Sequence, residues 1–331
     1  MTGLIVAGFH RSGTSSVAQM LDSYGISLGD ELMAGNEFNK FGHFESWPVV
    51  RFHDEVLGRI GADWSTPLNE PITLTDLERQ WVRTYVEKRE TDSGDWALKD
   101  PRMCRFMLQW KDVAPKLKFL IVYRSAADSC QSLNRRSNLL MARSADTDAI
   151  SRRFYNEPDL ALRLWIEHNR ELIALQKAFP EDCMVLGHHH ILAGFPIVPA
   201  MEDQFGIKPA KTPERATIDP EALSKKTPNL HVKSQELIEE AVQVWRALEA
   251  EDVAVAEGRP GMSIAPTLTH DPTGNHARAE MAELQLSELY RQLAQYRQAI
   301  PLIRKASKRP FSFYFMNKKK YRNIIEKVLN S

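Results

Sequence analysis

The sequence predicts an α/β fold, in which a parallel sheet is flanked by helices on both faces and a helical extension follows at the C-terminus. Short apolar runs alternate with longer stretches of helical spacing through most of the chain. This alternation is typical of parallel sheets, because each parallel connection is usually made by a helix. Near the C-terminus the pattern changes to apolar residues spaced by three and four, which indicates a long amphipathic helix.

The first predicted strand covers residues 3–8, a continuous apolar run that fits a strand buried on both faces. Further strands are predicted at 96–99, 118–123 and 183–187. Helices are predicted near 14–24, 46–60, 75–91, 127–141 and 158–178. Together these elements predict strands that lie side by side with helices between them.

We divide the chain into a main domain over 1–256, a linker over 257–276 and an amphipathic helix with a basic tail over 277–331. The linker segment, "EGRPGMSIAPTLTHDPTGNH", is rich in Gly, Pro and Thr and lacks periodicity. The following helix predicts a short coiled coil with an expected kink at Pro301. Its apolar seam consists of Leu286, Leu289, Leu293, Tyr296, Ile300 and Ile303.

The composition limits the classes of partner and compartment. Acidic and basic residues balance at 43 each, so no overall field attracts the whole chain to nucleic acid. The cysteines, Cys104, Cys130 and Cys183, are scattered and odd in number, which favours a reducing cytoplasm over a disulfide framework. The N-terminus does not resemble a signal peptide, and no apolar run is long enough to predict a transmembrane helix.

The loop after the first strand is the strongest functional signal. Gly8 and Gly13 have the spacing of GxxxxGK[ST], between a strand and a helix as that motif requires, so we predict a P-loop-type sheet. Thr14 stands where the lysine would be, and a cation comes earlier as Arg11. Backbone N–H groups and the hydroxyls of Thr14 and Ser15 still make an anion site. A cation inside the loop suits a phosphosulfate better than a triphosphate; the alternative is a tight turn and helix cap.

The segment "HRSGTSS" at 10–16 resembles the 5′-phosphosulfate loop of sulfotransferases that use 3′-phosphoadenosine 5′-phosphosulfate (PAPS), in particular the tyrosylprotein-type and bacterial branches. The segment "FLIVYRSAADSCQSL" resembles the family's strand followed by Arg and, eight residues later, Ser. The resemblance implies that Arg124 and Ser132 hold the 3′-phosphate. It also implies donor binding by the loop residues His10, Arg11, Ser12, Gly13, Thr14 and Ser15.

Two more segments resemble parts of this family. "WALKDPRMCRF" resembles the "KDP" segment, which implies that Lys99 contacts the transferring group, and "PEALSKKT" resembles "EALSKW" of the tyrosylprotein branch, which implies the same for Ser224. The alternatives are a solvated lysine at a strand end and a serine on a helix surface. The elements "KxGxxGDWKxxF" and "KTH" of the small-molecule branch are absent, which disfavours a phenol or steroid acceptor.

The acceptor hydroxyl needs a general base. "NKFGHFESWPVVRFHDEVL" resembles the family segment that supplies it, which makes Glu45 the first candidate, His43 the second and Glu31 the third. A Glu at the start of a helix is otherwise a capping residue.

These residues predict a sulfotransferase that moves a sulfuryl group from PAPS to a hydroxyl acceptor by in-line displacement, with Arg11 and Lys99 stabilising the leaving group and no metal required. A glycan or glycolipid acceptor is favoured over protein. The rival hypotheses are a nucleotide-dependent kinase of the same fold, which would need a lysine at Thr14, and a nucleotide-binding scaffold without catalysis.

Two basic segments invite other interpretations. His188, His189 and His190 are predicted as a strand exit into a loop rather than a metal site, because consecutive strand residues point to opposite faces. The final segment carries nine Lys/Arg against one Glu, with aromatic residues between them. We predict that 277–331 contacts a partner, a second copy or the inner face of a membrane rather than nucleic acid.

Overall fold

The structure is a computed structural model, and it describes residues 2–35, 42–68, 70–92, 94–143, 149–212 and 229–307. The strands are β1 Gly3–Ala7, β2 Trp96–Lys99, β3 Lys118–Tyr123, β4 Cys183–Gly187, β5 Leu230–Val232 and β6 Leu268–His270. The helices up to the middle of the chain are α1 Thr14–Ser23, α2 Trp47–Arg59, α3 Asp76–Asp92, α4 Met107–Val113, α5 Ala126–Arg143 and α6 Ala149–Asn156. The later helices are α7 Leu160–Ala178, α8 His188–Leu192, α9 Ile197–Phe205, α10 Gln235–Ala250, α11 Val253–Ala256 and α12 Asn275–Ser307.

The central sheet has four strands in the order β2-β1-β3-β4, and all neighbours are parallel. Ile5 in β1 is aligned with Leu98 in β2 on one side and with Phe119 in β3 on the other. The fold class is therefore α/β with a parallel sheet, and the four predicted strands lie within one residue of their expected limits.

Helices cover both faces of this sheet, which explains why its strands are continuous apolar runs. On one face Leu4 and Val6 belong to the same buried cluster as Val17 and Leu21 of α1. On the other face the Trp96 ring contacts Tyr85 of α3 edge-on, with ring centroids 6.5 Å apart. The Tyr123 ring similarly contacts Trp245 of α10 at 4.9 Å. Every residue of β1 is buried as a result.

The segment predicted as a linker contains regular structure. Leu268–His270 forms β6, which pairs in parallel with β5 in a small second sheet, and Ala265–Thr267 forms a 3-10 turn before it. This segment is rich in Gly and Pro, but the short stretch around Leu268 pairs with β5, which lies more than 30 residues earlier in the sequence. Pairing of this kind is a tertiary event that local composition does not predict.

The chain forms two compact units, one from residues 1–133 and 159–273 and the other from 134–158 and 274–331. This division differs from the predicted boundaries, which assigned 134–158 to the main domain. In the second unit, Gln285 of α12 donates a hydrogen bond to the side-chain oxygen of Asn138 at 3.2 Å. The helical assignment of α12 continues through Pro301 to Ser307. The described part of its predicted seam is solvent-exposed, with Leu286 and Leu293 at 52% and 44% exposure.

Among the described residues, none of the helices combines the length and the apolar character that crossing a bilayer requires. The predicted basic tail from residue 308 onward lies outside the described residues.

Candidate functional site

The β1–α1 loop, residues 8–13, is a tight turn with two residues in the left-handed region. Arg11 has φ 67° and Gly13 has φ 97°, and the Ser12 N–H donates to the Phe9 carbonyl at 3.1 Å. A Cβ at Gly8 would collide with the carbonyl oxygen of Val122, and a Cβ at Gly13 would collide with the His188 ring. The glycines therefore let this loop lie directly against β3 and α8.

The loop lies at a place where parallel sheets usually bind ligands. It follows the carboxyl end of β1, and Arg124 follows the carboxyl end of the neighbouring strand β3. The chain leaves β1 toward β2 on one side and leaves β3 toward β4 on the other, so the strand order reverses between them. Crevices at such reversals are the common ligand sites of open α/β sheets.

The cations expected to bind phosphate lie next to each other in this crevice. Arg124 Nη1 donates to the carbonyl oxygen of Arg11 at 3.2 Å, and Arg11 Nε donates to Ser132 Oγ at 2.9 Å. Arg124 Nη2 also pairs with Asp128 at 3.2 Å, and the Trp165 indole N–H donates to the Arg124 carbonyl at 3.0 Å. Four chain segments thus position two guanidinium groups at the loop, and the Asp128 carboxylate pairs with that of Arg124.

A second group lies at the end of β2. Lys99 is 2% exposed, and its Nζ donates to Glu45 Oε1 at 2.6 Å and to the His43 carbonyl at 3.2 Å. His43 Nδ1 lies 3.9 Å from the same carboxylate oxygen. The loop and this group are linked, because Ser15 Oγ donates to the His43 carbonyl at 3.4 Å.

The backbone that carries Glu45 adopts an uncommon conformation. Phe44 has φ 54°, a left-handed conformation that is strained for a bulky residue. Hydrogen bonds hold the segment in place, since the Met33 N–H donates to the Glu45 carbonyl at 2.8 Å. Glu45 follows Phe44 and accepts from Lys99, and the N-cap of α2 is Ser46.

Three residues that the sequence did not single out support this group from behind. Arg102 Nη1 lies 3.8 Å from Glu45 Oε2 and 3.1 Å from Asp100 Oδ1. His53 Nδ1 is 2.9 Å from Asp100 Oδ2, and neither side chain is exposed. The sequence signal that could have identified two of them is the segment "KDPR", in which Asp100 and Arg102 follow Lys99 closely.

The charges in this network are strongly biased. Burial opposes ionisation of Asp100, but Arg102 and His53 outweigh it and lower the pKa of the carboxyl. Burial likewise disfavours the Arg102 cation, and the carboxylates of Asp100, Asp54 and Glu45 raise its pKa nonetheless. Burial dominates at His53 and lowers its pKa below 6.5, so its imidazole is neutral near pH 7. Asp100 is therefore an ionised anchor that holds Arg102 toward Glu45.

The remaining predicted residues fall into three groups. His10, Ser12 and Thr14 are buried in the loop, and Ser12 Oγ has no hydrogen-bond partner among the described residues. Glu31 is exposed and lines a separate groove with Arg89. Ser224 lies outside the described residues. The structure thus brings together every described candidate except Glu31.

The histidine run has a structure that differs from the prediction. His188–His190 begin helix α8 instead of a loop, and the His188 ring packs against Gly13. Burial, with Arg124 nearby, lowers the pKa of His188 to about 3. Among the described residues, no group of three or more His, Cys, Asp or Glu side chains is arranged to hold a metal ion.

Burial raises the pKa of Cys104 to about 12 and that of Cys130 well above its usual value. Both thiols are therefore protonated near pH 7, which suits the packing role that their positions predict.

No protein-family model matches this chain, and no curated protein matches it.

Proposed function

We propose that this protein is a P-loop-type sulfotransferase that transfers a sulfuryl group from PAPS to a hydroxyl acceptor. One observation carries the proposal. Arg11, Glu45, Lys99 and Arg124 come from four separate segments of the chain. Contacts of 2.6–3.4 Å join Arg124 to Arg11, Lys99 to Glu45 and, through the His43 carbonyl, Lys99 to Ser15, which follows the loop. These are the residues that the resemblance to sulfotransferases selects.

The chemistry of the loop fits a phosphosulfate. Its backbone N–H groups at the N-terminus of α1 favour an anion, and Ser12 Oγ is a buried hydroxyl without a partner in the described part of the chain. Arg124 and Ser132 flank Arg11, where a planar guanidinium fork would bind a second phosphate. Asp128 already accepts from Arg124, so in this assignment the nucleotide must compete with or displace that contact.

In the proposed reaction the acceptor oxygen forms a bond to sulfur while the bond from sulfur to the 5′-phosphate oxygen breaks. The acceptor proton goes to Glu45, with His43 as the neighbouring alternative. Lys99 and Arg11 offset the negative charge that builds on the leaving phosphate, a kind of stabilisation that mutagenesis values at about 2.7–4 kcal/mol for one donor. The Lys99–Glu45 pair must loosen as the proton arrives, because a neutral acid binds an ammonium less strongly.

The acceptor we propose is a glycan or glycolipid, and the location is the cytoplasm with membrane contact through 277–331. A kinase of the same fold is the rival hypothesis. In that case the loop would bind ATP, and Thr14 stands where a kinase of this type needs its phosphate-binding lysine.

The binding test compares 3′-phosphoadenosine 5′-phosphate, adenosine 5′-phosphosulfate and ATP by calorimetry. We expect Arg124→Ala to weaken binding of the 3′-phosphorylated nucleotide by about 10- to 100-fold, because it removes a charge-assisted contact, and to leave adenosine 5′-phosphosulfate unchanged. Arg170→Ala is the matched control, since Arg170 is an exposed arginine paired with Glu240.

Tighter binding of ATP than of the 3′-phosphorylated nucleotide would favour the kinase. Donor binding without release of labelled sulfuryl to any acceptor, in a screen of glycans, glycolipids and peptides, would favour the scaffold.

A further inference from the structure

A groove of about 580 Å³ lies beside β2, away from the β1–α1 loop. Its walls come from α3, from the segment after α1 and from the residues before β2, all within the same compact unit. Ser46 and Pro48 line one part of it, directly after Glu45 in the chain, and Arg89 lines another.

Arg89 is the unusual residue in this groove. It is 8% exposed, its Nε is buried without a hydrogen-bond partner, and among the described residues it forms no ion pair with a carboxylate. Its contacts are Nη2 to the Ser27 carbonyl at 2.9 Å and to Ser27 Oγ at 3.3 Å, and the Trp96 ring at 5.3 Å. A buried charge without a counter-charge is costly, so proteins usually pair such a group or use it for binding.

The other charged residues of the groove do not balance it: Lys88 and Lys208 are exposed cations, and the carboxylates do not pair with Arg89. Asp30, Glu31 and Asp92 line the groove but are exposed and keep their hydration. Asp95 is half-buried, and its two oxygens accept backbone N–H groups of Thr2 at 2.8 Å and Lys208 at 3.1 Å. Arg89 is thus the one charged lining residue that is both buried and unpaired in the described part of the chain.

We propose that this groove binds an acidic saccharide, whose carboxylate or sulfate ester pairs with Arg89. Trp81 and Tyr85 supply apolar lining, and the exposed carboxylates of Asp30 and Glu31 supply acceptors for sugar hydroxyls. A ligand with one anionic group and several hydroxyls can pair with Arg89, pack against the aromatic lining and donate hydrogen bonds to the exposed carboxylates. A wholly neutral or cationic ligand leaves the guanidinium unpaired.

The position of the groove makes this ligand the acceptor, a step that depends on the proposed function. Ser46 lines the groove and follows Glu45 directly in the chain, and Tyr85, which lines the same groove, donates a hydrogen bond to Ser46 Oγ at 3.4 Å. A saccharide held at Arg89 would therefore extend along this wall toward Glu45.

The test measures binding of lactose 3′-sulfate and of cellobiouronic acid by calorimetry without donor nucleotide, each against its neutral parent, lactose or cellobiose. We expect at least one acidic sugar to bind the wild type more tightly than its parent. Arg89→Met should weaken that binding about 10- to 100-fold, because it removes a charge-assisted contact. Arg89→Lys should restore part of it, and Arg83→Met, at an exposed arginine of the same helix, should change nothing.

Equal binding of acidic and neutral sugars, equal binding to Arg89→Met, or no binding by any of them would overturn the proposal. Thermal melting of each variant verifies that it is folded. If Arg89→Met does not fold, the binding measured with Arg89→Lys still tests the proposal. The two proposals fail separately. Loss of the sugar result with intact binding of 3′-phosphoadenosine 5′-phosphate refutes the groove alone, and the reverse result refutes the sulfotransferase alone.

Discussion

Lys99 and Arg89 are both almost fully buried cations in the same compact unit, yet the fold balances their charges differently. Lys99 contacts the carboxylate of Glu45 at 2.6 Å, and Arg102 approaches that carboxylate from its other oxygen. Among the described residues, Arg89 hydrogen-bonds only to Ser27, and its guanidinium lies over the face of Trp96. We infer that the first charge is held in place for chemistry and the second is left for a ligand.

The largest expected effect, on both stability and turnover, comes from breaking the ion pair between Lys99 and Glu45. Lys99→Ala leaves Glu45 buried without its nearest cation, and removal of one partner of a buried pair typically costs about 3–5 kcal/mol of unfolding free energy. Loss of one transition-state donor should also lower sulfuryl transfer by about 100-fold or more. Chemical denaturation measures the first effect, and turnover of labelled PAPS measures the second.

The double variant Lys99→Met with Glu45→Gln separates the two effects. It removes both charges, so it should regain most of the stability without regaining turnover. If Lys99→Ala is as stable as the wild type, Lys99 does not stabilise the buried carboxylate of Glu45 in the way that their distance indicates.

A smaller effect is expected at the neighbouring pair of His53 and Asp100, in the pH dependence of the unfolding free energy. The pKa of His53 lies below 6.5 in the folded protein because the ring is buried, whereas the unfolded chain takes up a proton near pH 6.5. The unfolded state therefore binds more protons as the pH falls toward and below 6.5, and the free energy of unfolding should fall as the pH is lowered from 7 to 5.5.

His53→Asn, which keeps a hydrogen-bond donor for Asp100, should show a flatter dependence over the same window. His168 and His188, whose pKa values burial lowers to about 3, contribute to the slope of both proteins and cancel in the difference. Parallel curves for wild type and variant would mean that burial does not lower the pKa of His53, because the ring would then take up its proton at the same pH in the folded and the unfolded chain.

The smallest expected effect is on the stability of the Arg89→Met variant, and it tests most directly how Arg89 differs from Lys99. Arg89→Met should change the unfolding free energy by no more than about 1 kcal/mol, or increase it, because loss of the contact with Ser27 is offset by removal of an unbalanced buried charge. The control is Arg83→Met on the exposed side of α3. A loss of 3 kcal/mol or more, measured by denaturation, would show that Arg89 is a structural residue and not a charge reserved for a ligand.

The sequence predicted the fold and most of the site through local signals. Apolar runs located the four sheet strands, and the spacing of Gly8 and Gly13 located the loop. It predicted Glu45 and Lys99 as separate candidates, but their direct contact joins residues 54 positions apart, which local patterns do not bring together. Nothing in the sequence distinguished Arg89 from Arg83, since both are arginines of one charged helix.

The sequence by itself located the four strands of the main sheet and the loop after the first of them, because periodicity and glycine spacing are properties of neighbouring residues. Tertiary structure decided which charges meet and which are buried alone, and it paired β5 with β6 inside a segment whose composition is typical of a linker. The physical reason is that burial and ion pairing depend on distances between remote parts of the chain, and those distances are set only when the sheet and its helices pack.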